Sequence, residues 1–197
     1  MSSPFDTLIN SYIDTRAGID PFFISETLAD GLSAHILKLQ QAGLLHAAGT
    51  GNGEKKGIHE SIRNDKICWL NHSNHNSFEQ EFLQQADAFI AYLNQTCYTG
   101  INACEFHYAV YDCNSFYKRH LDQFRTNGNR KFSLITYLNK GWTDEDGGQL
   151  HIYNEAHTER ILPHARTAVF FKSDELEHEV TLTHRQRLSV TGWLKSQ

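Results

Sequence analysis

The sequence lacks the features that mark membrane, secreted and nucleic-acid-binding proteins. None of its 197 residues lies in an apolar run near the roughly 18 residues that span a bilayer. The first residues carry acids where a secretion signal would carry Lys or Arg. A formal net charge of −5 gives no positive field for attracting a nucleic acid. We therefore expect a cytoplasmic protein whose partners include neither nucleic acid nor membrane.

Cysteine is also scarce, and its spacing is not that of a metal site. Cys68, Cys97, Cys104 and Cys113 form no CxxC pair and match no zinc-finger spacing. Reduced, structural thiols are the expected state in a cytoplasmic chain. Cys113 lies close to the candidate site described below and would be open to oxidation if it were exposed.

The composition is that of one globular domain, and its first half has helical patterning. Apolar residues make up 40% of the chain, enough for a core. In residues 25–45 apolar side chains recur every three or four positions, which predicts a helix that Ser25 caps and Gly43 ends. A second helix is predicted from Ser77. Between them, TGNGEKKG at residues 50–57 is followed by no GK[ST], so it predicts a mobile surface loop and not a phosphate-binding loop.

The second half is patterned as short strands. From about residue 101, β-branched and aromatic runs alternate with turn residues. Helices followed by strands favour a sheet sandwich or barrel with helices packed outside it. The predicted strands cover residues 106–111, 132–138, 149–153, 167–171, 178–182 and 187–194.

Three residues in this half have the chemistry of a metal site. Side chains two positions apart on a strand share a face, so His120 and Asp122 could bind one ion. With 12 histidines in the chain, such a pair can arise by chance, and a rival pair at His157 and Glu159 lies in a polar run that predicts a solvated loop. His178 opens a predicted strand of the same sheet. Three protein ligands leave positions open for other molecules, which suits Fe(II) better than a structural zinc site with four ligands.

Arg187 begins the last predicted strand, nine residues after His178. We expect this strand to pair with the strand of His178 across the turn THRQ, which would deliver Arg187 into the barrel beside the metal. A buried guanidinium needs an anion, and the sequence offers no obvious acidic partner, so a bound carboxylate is expected to pair with it. Tyr137 lies on a central strand and could share that carboxylate. A surface salt bridge suits the neighbouring Arg185 better.

Over most of its length, the sequence resembles the iron(II)- and 2-oxoglutarate-dependent prolyl hydroxylases, particularly the bacterial relatives of the enzymes that modify hypoxia-inducible factor. The resemblance rests on the motifs YKRHLD, TYLNKGW, GGQLHIY, LEHEV and RLSVTGW. It implies an α+β, mainly β fold with a double-stranded β-helix (jelly-roll) core and N-terminal supporting helices. A single domain would cover residues 1–197, with residues 1–98 as mostly helical support, a substrate-side strand at 58–69, and the core at 101–197.

The resemblance also implies a role for each candidate residue. The implied iron ligands are His120, Asp122 and His178. The implied 2-oxoglutarate-binding residues are Arg187, Tyr137, Tyr111, Leu150, Thr191 and Trp193. The segment IRNDKICW resembles the substrate-side strand of the family, so the implied substrate-binding residues are Arg63, Asp65 and Arg130. Its glycine content and its position just before that segment, and not the resemblance, lead us to expect that the loop at residues 50–57 closes over the substrate.

The implied activity is a dioxygenase that uses Fe(II), 2-oxoglutarate and O₂, with ascorbate as reductant, to hydroxylate a prolyl residue in a protein or peptide. Bacterial members suggest a translation factor such as elongation factor Tu as the target. Two alternatives stay open. The same chemistry could act on free proline, a lysyl residue or a small metabolite, or the chain could be a non-catalytic metal- or ligand-binding jelly-roll module.

Overall fold

A computed structural model describes residues 3–49, 59, 61–71, 73, 75–123, 128–154 and 157–196. The loop at residues 50–57, predicted to close over a substrate, lies outside these residues. Within them the chain forms three α-helices and eleven β-strands. In chain order the elements are α1 (Asp6–Thr15), β1 (Ala17–Asp20), α2 (Glu26–Gln41), β2 (His46–Ala47), β3 (Lys66–Trp69), α3 (Ser77–Cys97), β4 (Ala103–Tyr111), β5 (Tyr117–His120), β6 (Arg130–Tyr137), β7 (Leu150–Tyr153), β8 (Thr158–Ile161), β9 (Ala168–Lys172), β10 (Glu177–Val180) and β11 (Arg187–Lys195).

The two predicted helices are present and begin at side-chain caps. The Ser25 hydroxyl accepts a hydrogen bond from the Leu28 amide at 3.1 Å and starts α2, and Gly43 follows the helix with a φ of 70°. The Asn76 side chain accepts hydrogen bonds from the amides of Phe78 and Glu79 at the start of α3. Among the described residues, no helix has both the length and the apolar character needed to cross a bilayer.

The strands form two antiparallel sheets. The larger sheet has seven strands in the order β1-β9-β6-β11-β4-β3-β2, and the smaller has four in the order β5-β10-β7-β8. All six predicted strands of the second half are present within a few residues of their predicted bounds. Two antiparallel sheets with helices at the N-terminal side confirm the predicted fold class, a mainly β jelly roll.

Alternating side chains give the large sheet two apolar faces. On β6, Leu134 belongs to a core between the large sheet and the helices, whereas Ile135 and Tyr137 belong to a second core with residues of the small sheet such as Leu150. This is the expected consequence of side chains pointing to opposite faces along a strand. The helices therefore cover one face of the large sheet, and the other face is available for the site.

Two expectations about the strands are wrong. The polar run containing His157 and Glu159 includes a strand, β8, which pairs with β7 at the edge of the small sheet. An edge strand can be polar because one side meets solvent, so its sequence carries little strand signal. The strand of His178 does not pair with that of Arg187: β10 pairs with β5 and β7, and β11 pairs with β4 and β6. After β10 the chain crosses from the small sheet to the large one, and periodicity does not encode such long-range pairing.

Candidate active site

His120, Asp122 and His178 converge at one end of the space between the sheets. His120 ends β5 and lies opposite His178 on β10. Asp122 Oδ1 is 3.5 Å from His120 Nε2, and Asp122 Oδ2 is 3.6 Å from His178 Nε2. One ligand atom from each residue lies within 4.8 Å of the others. Asp122 was expected on the strand of His120 but lies two residues beyond its end, where the chain bends toward the other two side chains.

Both histidines are oriented by the backbone of their own strands. His120 Nδ1 is 2.7 Å from the Lys118 carbonyl, and His178 Nδ1 is 3.1 Å from the Leu176 carbonyl. A carbonyl only accepts hydrogen bonds, so each Nδ1 carries a proton and each Nε2 is the ring nitrogen left to bind a metal. Burial lowers the pKa of His178 to about 4, although Asp122 opposes the change. The ring is thus neutral near pH 7 and able to bind a metal.

Asp122 is held as a carboxylate. Burial alone would raise its pKa, but His178, His120 and a hydrogen bond from Ser133 outweigh burial and hold the pKa well below its usual range. Ser133 Oγ donates to Asp122 Oδ2 at 2.6 Å and lies 2.9 Å from Ser173 Oγ. Two imidazoles and one carboxylate fit a divalent metal such as Fe(II) and leave coordination positions for other molecules. No second group of three such ligands occurs in the part of the chain that the structure describes.

A bulge in β5 places an aromatic ring against His120. His178 pairs with His120, and Val180, two residues on, pairs with Tyr117, so β5 has one extra residue in this interval. The bulge brings Tyr117 and His120 together, with ring centroids 3.5 Å apart and planes 13° apart. The Arg63 guanidinium covers Tyr117, with Cζ 4.2 Å from the ring centroid. Strict alternation would have put Tyr117 on the other face, which is why the sequence did not point to it.

Arg63 and Asp65, both predicted to bind substrate, bind each other. Arg63 Nε and Nη2 donate to the two carboxylate oxygens of Asp65 at 2.7 and 2.6 Å. Asp65 is only 1% exposed. Arg130, the third predicted substrate residue, donates to Glu105 at 2.9 Å and stacks on Trp193, with Cζ 3.4 Å from the ring centroid.

Arg187 is buried without an acidic partner among the described residues. It is 1% exposed, and its Nε donates to the Gly148 carbonyl at 2.9 Å. Its Cζ lies 5.0 Å from the Tyr111 ring centroid and 4.9 Å from that of Tyr137. Burial raises the pKa of Tyr137 to about 12, opposed by the charge and hydrogen bonding of Arg187, and its buried hydroxyl has no partner among the described residues besides that guanidinium. A buried guanidinium and a neighbouring hydroxyl can both donate hydrogen bonds to a carboxylate, so this part of the cavity is suited to bind one.

One cavity of about 820 Å³ connects the three metal-type ligands with Arg187. Tyr111, Leu150, Thr191 and Trp193, the other predicted 2-oxoglutarate residues, all line it, whereas Tyr137 is not among the lining residues and lies against Arg187, which is. Arg63 and Arg130 also line it, and Asp65 supports Arg63 from outside. The structure therefore brings the predicted site residues into or directly against one cavity.

His107 and Trp69 line the same cavity and were not predicted. His107 shares a face of β4 with Ala109 and Tyr111 because these residues are two positions apart. Extending the alternation backward from Tyr111 would have found it. Trp69 is opposite His107 on the neighbouring strand β3, a pairing that only the folded chain reveals.

Comparison with known proteins identifies the family. Residues 106–195 match the family model of the 2OG-Fe(II) oxygenase superfamily. A prolyl-4-hydroxylase from Pseudomonas putida is 30% identical, with 96% of this chain and 97% of that chain covered and a TM-score of 0.87.

Two more distant structures share the fold. A prolyl hydroxylase from Trichoplax adhaerens, in complex with a hypoxia-inducible factor peptide fragment, is 24% identical, with 97% and 88% of the chains covered and a TM-score of 0.86. The viral collagen prolyl hydroxylase of Paramecium Bursaria Chlorella virus-1, in complex with 2-oxoglutarate, is 16% identical, with 93% and 97% covered and a TM-score of 0.64. On the strength of the Pseudomonas putida relative and the family model, this chain belongs to the iron(II)- and 2-oxoglutarate-dependent prolyl hydroxylase family and is a dioxygenase that requires Fe(II), 2-oxoglutarate and O₂.

Proposed function

We propose that this enzyme hydroxylates a prolyl residue within a protein or peptide. The proposal rests on one observation: a single cavity contains both the three candidate metal ligands and Arg187. Arg187 is buried and has no acidic partner among the described residues. The 30% identity to a prolyl-4-hydroxylase supports the prolyl target. The peptide bound to the Trichoplax adhaerens enzyme supports a polypeptide substrate.

In this proposal His120, Asp122 and His178 hold Fe(II). Each histidine contributes its Nε2 lone pair, because its Nδ1 is engaged by a backbone carbonyl. Asp122 contributes the negative charge, and the Ser133 hydroxyl fixes the orientation of its carboxylate. When bound, iron and 2-oxoglutarate supply the oxidative decarboxylation that uses O₂, releases succinate and CO₂, and transfers one oxygen atom to the substrate.

Arg187 and Tyr137 would hold the distal carboxylate of 2-oxoglutarate. The guanidinium provides a forked donor, and the Tyr137 hydroxyl provides another without a competing partner among the described residues. Tyr111, Leu150, Thr191 and Trp193 would form the wall around the co-substrate. Burial strengthens these charge interactions, because Arg187 is only 1% exposed.

The substrate would enter over the wall formed by Arg63 and Arg130. Asp65 fixes the Arg63 side chain through two hydrogen bonds. Arg130 is fixed by Glu105 and by stacking on Trp193, and its Nη1 donates to the Asp122 carbonyl at 3.3 Å. Side chains held this way lose little conformational freedom when a peptide binds.

Elongation factor Tu is our candidate substrate, on the resemblance to bacterial members of the family. We place the reaction in the cytoplasm, where the four cysteines, all free in the structure, would stay reduced. Ascorbate would act as the reductant that keeps iron in the Fe(II) state. Residues 1–197 would form a single oxygenase domain.

The test is to incubate the enzyme with Fe(II), ascorbate, 2-oxoglutarate and a bacterial lysate, followed by succinate measurement and mass spectrometry of peptides. We expect iron-dependent succinate and hydroxylated prolyl peptides, with elongation factor Tu among their sources. Hydroxylation of free proline, of lysyl residues or of a metabolite alone would replace the proposed substrate class. No iron-dependent succinate above background would contradict the activity itself.

A further inference from the structure

His107 occupies a central position in the cavity wall. It lies on β4, which pairs with β3 on one side and β11 on the other. Its partner residues are Trp69 on β3 and Thr191 on β11. Its ring centroid is 5.0 Å from that of Trp69 and 5.4 Å from that of Trp193. The Trp69 and Trp193 centroids are 6.4 Å apart, so the imidazole and the two indoles form one cluster of three rings on the wall of the cavity that contains the candidate metal ligands.

The imidazole of His107 is buried, and one of its two ring nitrogens has no hydrogen-bond partner among the described residues. The residue is 3% exposed, and its Nδ1 is buried with no hydrogen-bond partner among the described residues. The neighbouring indole Nε1 of Trp193 is also buried and has no hydrogen-bond partner among the described residues. Burying such groups without partners costs free energy, so their persistence in a cavity wall indicates that a ligand supplies the partners.

The ligand that contacts His107 is expected to be neutral. Burial lowers the pKa of His107 to about 4, and the Arg63 cation contributes to the decrease. A neutral imidazole has one donor and one acceptor, which matches the carbonyl and N–H groups of a peptide amide. An indole N–H is a donor only, and it matches a carbonyl.

The position of His107 separates it from the co-substrate. Arg187 pairs with Tyr111, and Thr191 pairs with His107, so the two sites are four residues apart along β4. Four residues of a strand cover roughly 13 Å. A five-carbon diacid bound at Arg187 is shorter than this separation, so it can reach Thr191 or Trp193 only with its end away from Arg187, and the His107 ring is left for the substrate.

We propose that His107 hydrogen bonds a peptide amide of the substrate next to the hydroxylated prolyl residue, and that it determines which polypeptides the enzyme accepts. The proposal rests on the proposed prolyl hydroxylation. Trp69, which is 49% exposed at the cavity edge, and Trp193 provide apolar surfaces beside that amide. His107 is thus a specificity-determining residue and takes no part in metal or 2-oxoglutarate binding.

The test uses binding without turnover. The enzyme is loaded with Mn(II) and 2-oxoglutarate, and its affinity is measured for a set of N-acetylated, C-amidated peptides that each contain one proline. His107→Phe keeps an aromatic ring but removes the hydrogen bond, whereas His107→Asn keeps an amide group near the Nδ1 position. Tyr108→Phe is the matched control, because it removes a buried hydroxyl on the opposite face of the same strand.

We expect the best peptide of the set to bind His107→Phe about tenfold more weakly than the wild type, as loss of one hydrogen bond predicts. His107→Asn should recover part of that affinity, and Tyr108→Phe should bind like the wild type. With diamagnetic Zn(II) in place of Mn(II), the ¹⁵N resonance of His107 Nδ1 should shift when peptide is added. The 2-oxoglutarate affinity should be equal in all four proteins.

Three results would overturn the proposal: equal peptide affinity in the wild type and His107→Phe, an equal loss of 2-oxoglutarate affinity, or no binding of any peptide. These outcomes are distinct from failure of the proposed function. That failure appears as absence of prolyl hydroxylation in the active iron enzyme, whichever residue contacts the peptide.

Discussion

The Tyr117 ring stacks on the His120 ring at 3.5 Å, and a bulge in β5 produces the contact. The stack leaves the imidazole little freedom to rotate about its side-chain torsions, and the backbone carbonyl of Lys118 fixes its Nδ1. His120 is intermediate in exposure, unlike the buried His178. The more accessible of the two histidines is therefore the one held by an aromatic neighbour.

Removing the Tyr117 ring is expected to weaken metal binding. In Tyr117→Ala, His120 can adopt other rotamers, so we expect the affinity for Fe(II) or Mn(II) to fall by about tenfold or more, as for other residues that orient metal ligands. Tyr117→Phe keeps the stacked ring and should retain affinity close to that of the wild type. Metal titration of the apo proteins measures both variants, and equal affinities in Tyr117→Ala and the wild type would refute the orienting role.

Asp122 and Arg187 should have separable functions. We expect Asp122→Ala to abolish turnover through loss of the metal, and Arg187→Ala to raise the 2-oxoglutarate requirement while metal affinity is retained. Arg187→Lys should recover little, because lysine keeps the charge but lacks the forked geometry. Metal titrations together with the KM for 2-oxoglutarate distinguish the roles. Equal loss of metal in Asp122→Ala and Arg187→Ala would contradict this division.

The buried Arg187 is also expected to lower the stability of the ligand-free protein. Its guanidinium has a carbonyl partner but no salt bridge among the described residues. Arg187→Met should therefore leave the free energy of unfolding unchanged or raise it by ~1–4 kcal/mol, as replacement of buried charges by apolar residues often does. Addition of 2-oxoglutarate and Mn(II) should raise the thermal midpoint more in the wild type than in the variant. A large loss of stability in Arg187→Met would show that protein contacts already satisfy the charge.

Gly148 has a backbone and a location that a side chain would disturb. Its φ is 63°, and an added Cβ would lie 3.0 Å from the Thr183 side chain and 3.1 Å from Arg187 Cδ. We expect Gly148→Ala to displace Arg187 and raise the KM for 2-oxoglutarate severalfold. Gly141→Ala is the matched control, because Gly141 has a φ of 57° and no atoms within 4 Å of an added Cβ. Both variants share the backbone strain, so a comparable rise in KM for both would refute the steric explanation.

His107 gives the fold a predictable dependence on pH. Its pKa is lowered to about 4 by burial, whereas an unfolded histidine titrates near 6.5. Between these values the unfolded chain binds the proton and the folded chain does not, so stability falls as pH decreases from about 6.5 to 4. The contribution is at most ~3 kcal/mol over that range.

Urea unfolding of the metal-free protein at pH 7 and pH 5 measures this dependence. We expect the difference in unfolding free energy between the two pH values to be smaller in His107→Phe than in the wild type. The same pH dependence in both proteins would show that folding leaves the pKa of His107 unchanged.

Much of the site could be predicted from the sequence, because metal-binding and charged side chains stand out in otherwise apolar, regularly alternating strands. The pattern around His178 and Arg187 predicted two strands, and both side chains lie where the cavity forms. The pairing of those strands was wrong, because periodicity specifies the face of a residue but not its partner strand. Tyr117 was missed because a bulge interrupts the alternation, and β8 because an edge strand can be polar. His107 belongs to a regular strand, but only its position beside Trp69 and Trp193 marks it as a candidate for substrate contact.

Mass spectrometry of one incubation tests the central claim most directly. Wild-type enzyme and Asp122→Ala are each treated with Fe(II), ascorbate, 2-oxoglutarate and a bacterial lysate, and hydroxylated prolyl residues are counted in the same peptides. We expect prolyl hydroxylation and a matching amount of succinate with the wild type, and neither product with Asp122→Ala. Prolyl hydroxylation that is equal in the two proteins, or succinate without any hydroxylated prolyl residue, would contradict the claim.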